Sequence, residues 1–138
     1  MKRIVCVILV IVGLLFYTGC SKRRYYTYEE LSNGLTKIEI VELEESGIIT
    51  LLYTLDEQEK SSCVDFLTNI EIAEILPWSN PISMAGICIR LVYENSSNIL
   101  ISNYGVLRYQ DGNIVLITWE YVVDGEKITE FIDLLIRV

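Results

Sequence analysis

The sequence contains no histidine. That excludes Ser-His and Cys-His nucleophilic pairs and every metal site built on imidazole. No glycine-rich phosphate loop is present either: Gly105 and Gly112 fall where turns are expected. Proline occurs twice, as Pro77 and Pro81, bracketing the short loop PWSNP around Trp78. Basic residues are scarce, 11 against 19 acidic ones. Long apolar runs are absent too. The longest, Ile4 to Phe16, covers 13 residues and is interrupted by Gly13. At about 1.5 Å per residue it is about 20 Å long, short of the roughly 30 Å core of a bilayer.

What surrounds that run gives it a meaning. Lys2 and Arg3 precede it, and Tyr17-Thr18-Gly19-Cys20 follows, then the basic cluster Lys22, Arg23, Arg24. A basic start, a short apolar core and a small-residue cleavage site form the pattern of a secretory signal. The segment through Cys20 resembles the lipobox signal peptide of bacterial lipoproteins, with Tyr17 standing where that family usually has an aliphatic residue. The resemblance implies cleavage before Cys20 and a diacylglycerol on its thiol. The alternative is an uncleaved membrane anchor. A lipid on Cys20, with Lys22, Arg23 and Arg24 beside anionic headgroups, would supply two membrane signals, and two are what stable anchoring takes. The expected organisation is a signal peptide over 1–19, a lipid-anchored tether over 20–28, with Tyr25, Tyr26 and Tyr28 at the membrane interface, and an acidic domain over 29–138.

Charge separates sharply along the chain. From Glu29 onward there are 6 basic and 19 acidic side chains, a formal −13. Such a domain repels DNA, RNA and anionic lipid, so nucleic acid is excluded as a partner. The simplest use of the acidity is solubility. Isoleucine occurs 20 times and alanine twice, a bias that with the many Tyr and Asn suggests an AT-rich bacterial genome.

Periodicity predicts the elements. Thr27-Tyr28-Glu29-Glu30 matches a capping box opening a short helical turn. TKIEIVEL and IITLLYTL read as a hairpin, with Ile38 and Ile40 on one face of the first strand. Ile49, Leu51, Tyr53 and Leu55 share a face of the second. Asp56 to Asn69 reads as a helix with a second capping box, Asp56 and Glu59, and an apolar stripe of Cys63, Phe66, Leu67 and Ile70. GICIRLVY places Ile87, Ile89, Leu91 and Tyr93 on one face and Cys88, Arg90 and Val92 on the outer one. NILISNYGVLRY holds one bent strand or two. Asp111-Gly112 marks a hairpin, and IVLITWEYVV groups Val115, Ile117, Trp119, Tyr121 and Val123. Asp124 to Arg137 reads as a helix with the stripe Ile128, Phe131, Ile132, Leu135. Strands joined by tight turns are antiparallel. The expectation is an α+β domain: one antiparallel sheet of about six strands with two helices on its core face.

Little in the domain announces chemistry. Glu42, Glu44 and Glu45 are the densest carboxylates, in a hairpin, and match no cation-binding loop. Neither a metal nor a cofactor is expected. Cys63 and Cys88 point to opposite faces of the sheet, whereas a disulfide requires Cα atoms within about 7 Å, so they are expected unbridged. Trp78, on a loop between two prolines, is the best recognition candidate. The motifs YEEL, KIEIVEL and CIRLVYEN resemble small surface lipoproteins of Gram-positive bacteria, a likeness that implies no activity and carries over only Cys20. The reading is a non-catalytic binding module of the cell envelope. Its rivals are an acidic inhibitor or immunity protein against a cationic lytic enzyme or toxin, and a hydrolase using two carboxylates.

Overall fold

Two segments fifty residues apart determine how the chain closes. A computed structural model describes residues 23–74, 85–110 and 113–137. Among them β2 (Leu35–Leu43) lies antiparallel to β5 (Gly86–Tyr93), with Ile40 opposite Ile89, Ile38 opposite Leu91, Glu39 opposite Arg90 and Val41 opposite Cys88. Side chains alternate between faces along a strand. The four inward isoleucine and leucine side chains are wholly buried.

Around this pair one antiparallel sheet assembles from eight strands. The others are β1 (Arg23–Tyr25), β3 (Ile49–Thr54), β4 (Glu71–Glu74), β6 (Ser97–Ile101), β7 (Gly105–Gln110) and β8 (Asn113–Val122). The spatial order is β1-β4-β8-β7-β6-β5-β2-β3. A meander from β5 to β8 forms the middle, the β2–β3 hairpin one end and β4 with β1 the other. Among the described residues three helices accompany it: α1 (Tyr28–Ser32), α2 (Glu57–Leu67) and α3 (Gly125–Arg137). The α+β class and the single antiparallel sheet agree with expectation. The count does not: β1 and β4 bring the sheet to eight strands, and α1 makes a third helix.

Each helix starts or packs as its sequence dictates. Thr27 accepts from the Glu30 N–H and Asp56 from the Glu59 N–H, and both glutamates reach back, so both capping boxes are closed. A five-residue helix has too few hydrogen bonds to persist alone; fully buried Leu31 holds α1 to the core. On α2, Cys63, Val64 and Leu67 are buried, and on α3, Ile128 and Ile132. Phe66 and Phe131 stack at 4.2 Å between centroids, 5° from parallel, locking α2 to α3. These residues and the inward faces of β2 and β5 to β8 form one cluster.

Several expectations are corrected. The face proposed for Ile49, Leu51, Tyr53 and Leu55 is broken by a register shift at Ile40/Val41. Tyr53 pairs with inward Ile40 but Leu51 with outward Val41, so Leu51 and Tyr53 lie on opposite faces. As the sheet's edge, β3 leaves Leu51, Leu52 and Tyr53 exposed, and only Leu55 is buried. The outer face is not simply solvated: Val41, Cys88, Leu100 and Tyr109 form a second buried cluster. Residues 23–28, assigned to a tether, take part in the fold, because β1 pairs with β4 and Tyr26 enters the main cluster at 3% exposure. Tyr26 therefore has no ring to offer a membrane, whereas Tyr25 and Tyr28 are exposed. NILISNYGVLRY is two strands, β6 and β7. The Asp111-Gly112 turn and the side chains of Val115, Ile117 and Trp119 lie outside what is described.

Cys63 and Cys88 belong to separate clusters on opposite faces, so no bridge joins them. Burial pushes the Cys63 thiol up to about 12 and the Cys88 thiol up to about 11. Both should resist alkylation in the native protein at neutral pH and react on denaturation, read as two added labels by mass spectrometry after the other cysteines are accounted for.

Gly125, at the start of α3, backs onto the carbonyl of Asn103 in the β6–β7 turn so closely that a Cβ would overlap backbone atoms. Gly125→Ala should destabilise the domain by about 1–3 kcal/mol, the usual range for overpacking. Chemical denaturation of the two proteins measures it.

Candidate functional site

The core face changes character towards β1. Val106 and Arg108 of β7 both point inward, and Glu120 of β8 sits opposite Val106. A charged pair is thus carried on the face that elsewhere buries isoleucine. The chain covers it with its own first described residues. Arg24 Nη1 donates to Glu30 Oε1 at 2.9 Å and Nη2 to Glu120 Oε1 at 3.2 Å. The Tyr26 hydroxyl donates to Glu120 Oε2 at 3.1 Å and accepts from Arg108 Nη2 at 3.5 Å. The Arg24 and Arg108 guanidinium carbons lie 4.9 and 5.9 Å from the Tyr26 ring centroid, within cation–π reach.

The two ends of the Arg24 bridge differ. Its Glu30 partner is 35% exposed and its Glu120 partner 11%. Exposed pairs contribute about 0–1 kcal/mol, whereas removing one partner of a buried pair strands a charge. Glu120 is therefore the end that ties β1 down. Burial, then the Glu120 charge, pushes the Tyr26 phenol well above its ordinary value, so it stays a donor. Burial of Glu30 would raise its carboxyl, but hydrogen bonds from Arg24 and the Thr27 N–H outweigh that and hold it below its ordinary value.

Beside this network opens a cleft of about 510 Å³ at the ends of β5, β6 and β7. Tyr93, Ile99, Arg108 and Tyr109 line it together with Glu30, Glu94 and the carboxamides of Asn33, Asn95, Asn98 and Gln110. Its volume lies within the range of small-ligand sites, about 300–1,000 Å³. Tyr93 is fixed by donating to the Leu31 carbonyl at 2.8 Å, and burial pushes its phenol up to about 12. Arg108 is less well provided. Among the described residues its Nε is buried without a hydrogen-bond partner, and its one side-chain hydrogen bond, to Tyr26, is long. A guanidinium carries five donors.

A second ion pair lies on the outer face. Glu39, 3% exposed, accepts from Arg90 Nη2 at 3.0 Å and Nε at 3.2 Å, while Arg90 Nη1 donates to Tyr109 at 3.4 Å. Both Arg90 nitrogens meet the same carboxylate oxygen, so the pair joins β2 to β5, and neither residue lines the cleft beside Tyr93.

The residues singled out from sequence fall in different places. Cys20, Lys22 and Trp78 lie outside the described residues. Arg23 is exposed, with Glu71 at 3.8 Å. Arg24, expected beside lipid headgroups, is turned to two carboxylates of its own domain. Glu42, Glu44 and Glu45 are exposed around the β2–β3 turn, as a solvated hairpin would have them. Arg108, Tyr26 and Glu120 were not foreseen. One signal for them was available: in GVLRYQ, Arg108 occupies the same face as Val106, a charge at an inward position.

Among the described residues no group of three His, Cys, Asp or Glu side chains is arranged to hold a metal ion, and no helix is long and apolar enough to cross a membrane. Comparison with protein-family models, with curated proteins and with solved structures finds no match to this chain.

The depressed Glu30 carboxyl makes stability depend on pH. Its contribution is fully present above the unfolded value of 4.5 and is lost as pH falls through the lower folded value. Glu30→Gln should be less stable than the unaltered protein at pH 7 by about 0.5–1 kcal/mol, and the two should converge at acid pH below 4.5. Urea unfolding of both proteins across that range is the check.

Proposed function

We propose that this chain is a lipid-anchored, extracytoplasmic lipoprotein of the bacterial cell envelope, and that its folded domain is a non-catalytic binding module. The observation carrying the location is the lipobox-like segment through Cys20, after an apolar run of 13 residues. Binding rather than catalysis is supported by the cleft. Its polar groups are donors and acceptors of hydrogen bonds. The described cysteines sit in the two buried clusters, and neither lines it. A two-carboxylate hydrolase needs one acid held protonated at neutral pH, and Glu30 moves in the opposite direction. The membrane is one partner, through Cys20 and the basic residues beside it. The ligand of the cleft is the other.

Mass spectrometry of protein extracted from membranes tests the anchoring. The expected species begins at Cys20 and carries a diacylglycerol, and Cys20→Ser should remain uncleaved. Protein retaining Met1 with an unmodified Cys20 would sink the proposal.

A further inference from the structure

The chemistry of the cleft selects a class of ligand. Three observations bear on it. First, carboxamides dominate the rim, and each carboxamide both donates and accepts. Some of this capacity is used locally: Asn98 Nδ2 donates to the Ser96 carbonyl at 3.2 Å and Gln110 Nε2 to the Asn95 carbonyl at 3.3 Å. Each bond uses one amide hydrogen, and among the described residues no hydrogen bond is made to the Asn98 or Gln110 side-chain oxygen, which leaves both as acceptors. Second, Arg108 brings donors that the described residues do not fill, since among them its one side-chain hydrogen bond is the 3.5 Å contact to Tyr26. Third, the charges are close to balance. Arg108 is set against Glu30 and Glu94, and Glu30 is already paired with Arg24 at 2.9 Å.

A balanced site rich in paired donors and acceptors suits hydroxyl groups, which also both donate and accept. It does not favour an anion, which Glu94 and the domain's −13 would oppose. Arg108 and Glu94 are the two charges a zwitterion would have to engage at once, so a zwitterion is the competing ligand to be tested. We infer that the cleft binds a neutral, hydroxyl-rich saccharide unit, with Asn98 and Gln110 accepting from its hydroxyls and Arg108 donating to its oxygens. The inference rests on the binding-module reading above and names that module's ligand. Tyr93 and Ile99 give the sugar's apolar face a wall, and fixing Tyr93 through the Leu31 carbonyl makes that wall rigid before the ligand arrives.

The experiment is a two-dimensional NMR titration of the full chain in detergent micelles. The probes are the neutral disaccharides maltose, cellobiose and N,N′-diacetylchitobiose, with glucuronate as the anion and alanyl-alanine as the zwitterion. At least one disaccharide should shift the side-chain amide signals of Asn98 and Gln110, at lower concentration than either charged probe. The double variant Asn98→Ala, Gln110→Ala removes two hydrogen bonds and should weaken that binding by about tenfold or more. Its retained thermal melt would show that the fold survives. Arg108→Lys keeps the charge but loses the fork, and should also weaken binding. Stronger binding of glucuronate or alanyl-alanine, disaccharide shifts that ignore these substitutions, or no shift with any disaccharide would each overturn the inference. Lipidated Cys20 without saccharide binding would sink the ligand class alone. Saccharide binding with an unmodified Cys20 would sustain it while removing the anchoring.

Discussion

The register of β2 on β5 is the constraint on which the rest of this domain depends. It joins an N-terminal hairpin to a C-terminal meander across fifty residues of chain, and it sets both faces of the sheet at once. With Ile38 and Ile40 facing Leu91 and Ile89, the isoleucine-rich face is closed under α2 and α3. The same pairing sets Glu39 against Arg90 on the outer face, where the carboxylate is almost wholly buried. A slip of one residue would turn every side chain over. Glu39 would enter the isoleucine cluster and Arg90 would lose its carboxylate partner. The buried ion pair adds little net stability against an apolar substitute, but a wrong register breaks it, and breaking such a pair costs about 3–5 kcal/mol.

Much of this architecture was legible in the chain because it rests on local rules. Two capping boxes located α1 and α2, the i, i+3, i+4 spacing located α3, and strict alternation located β2 and β5. The failures share a different cause. β1 and β4 span three and four residues, too short for a period to emerge, and they exist because β8 offers a sheet edge to pair with. The bulge opposite Ile40/Val41 is a pairing feature, and nothing in ITLLYT announces it. Alternation places Cys88 on the outer face, but it does not by itself reveal that this face carries a second buried cluster with Val41, Leu100 and Tyr109. The candidate site was harder still. Arg24, Tyr26, Glu30, Arg108 and Glu120 come from four elements and the link between β1 and α1, and only the folded sheet brings them together. Arg24 and Arg108 read singly as a tether charge and an ordinary strand residue.

The two polar networks divide the labour of specification. On the outer face, Glu39 and Arg90 are satisfied by one another and by Tyr109, and they lock strands. On the inner face, Arg24, Tyr26 and Glu120 close the sheet's far end but leave Arg108 short of acceptors among the described residues. A partly buried guanidinium without enough acceptors is a source of strain in an isolated protein. Placed on the wall of a cleft, it is also a group whose hydrogen bonding a ligand can complete.

The position of β1 has a geometric consequence. It is one outer strand of the sheet, and β3, with exposed Leu51, Leu52 and Tyr53, is the other. Seven strand-to-strand steps of about 4.8 Å separate them, a width of about 34 Å. Only Ser21 and Lys22 stand between Cys20 and the first residue of β1. Three virtual bonds reach at most about 11 Å. On the proposed anchoring, the leash is therefore shorter than the body it holds, and the sheet itself acts as the spacer. Its near margin is confined to the headgroup zone, while the apolar β3 margin can stand roughly a domain's breadth above the bilayer. How high this protein reaches is thus decided by the number of strands rather than by the length of its linker.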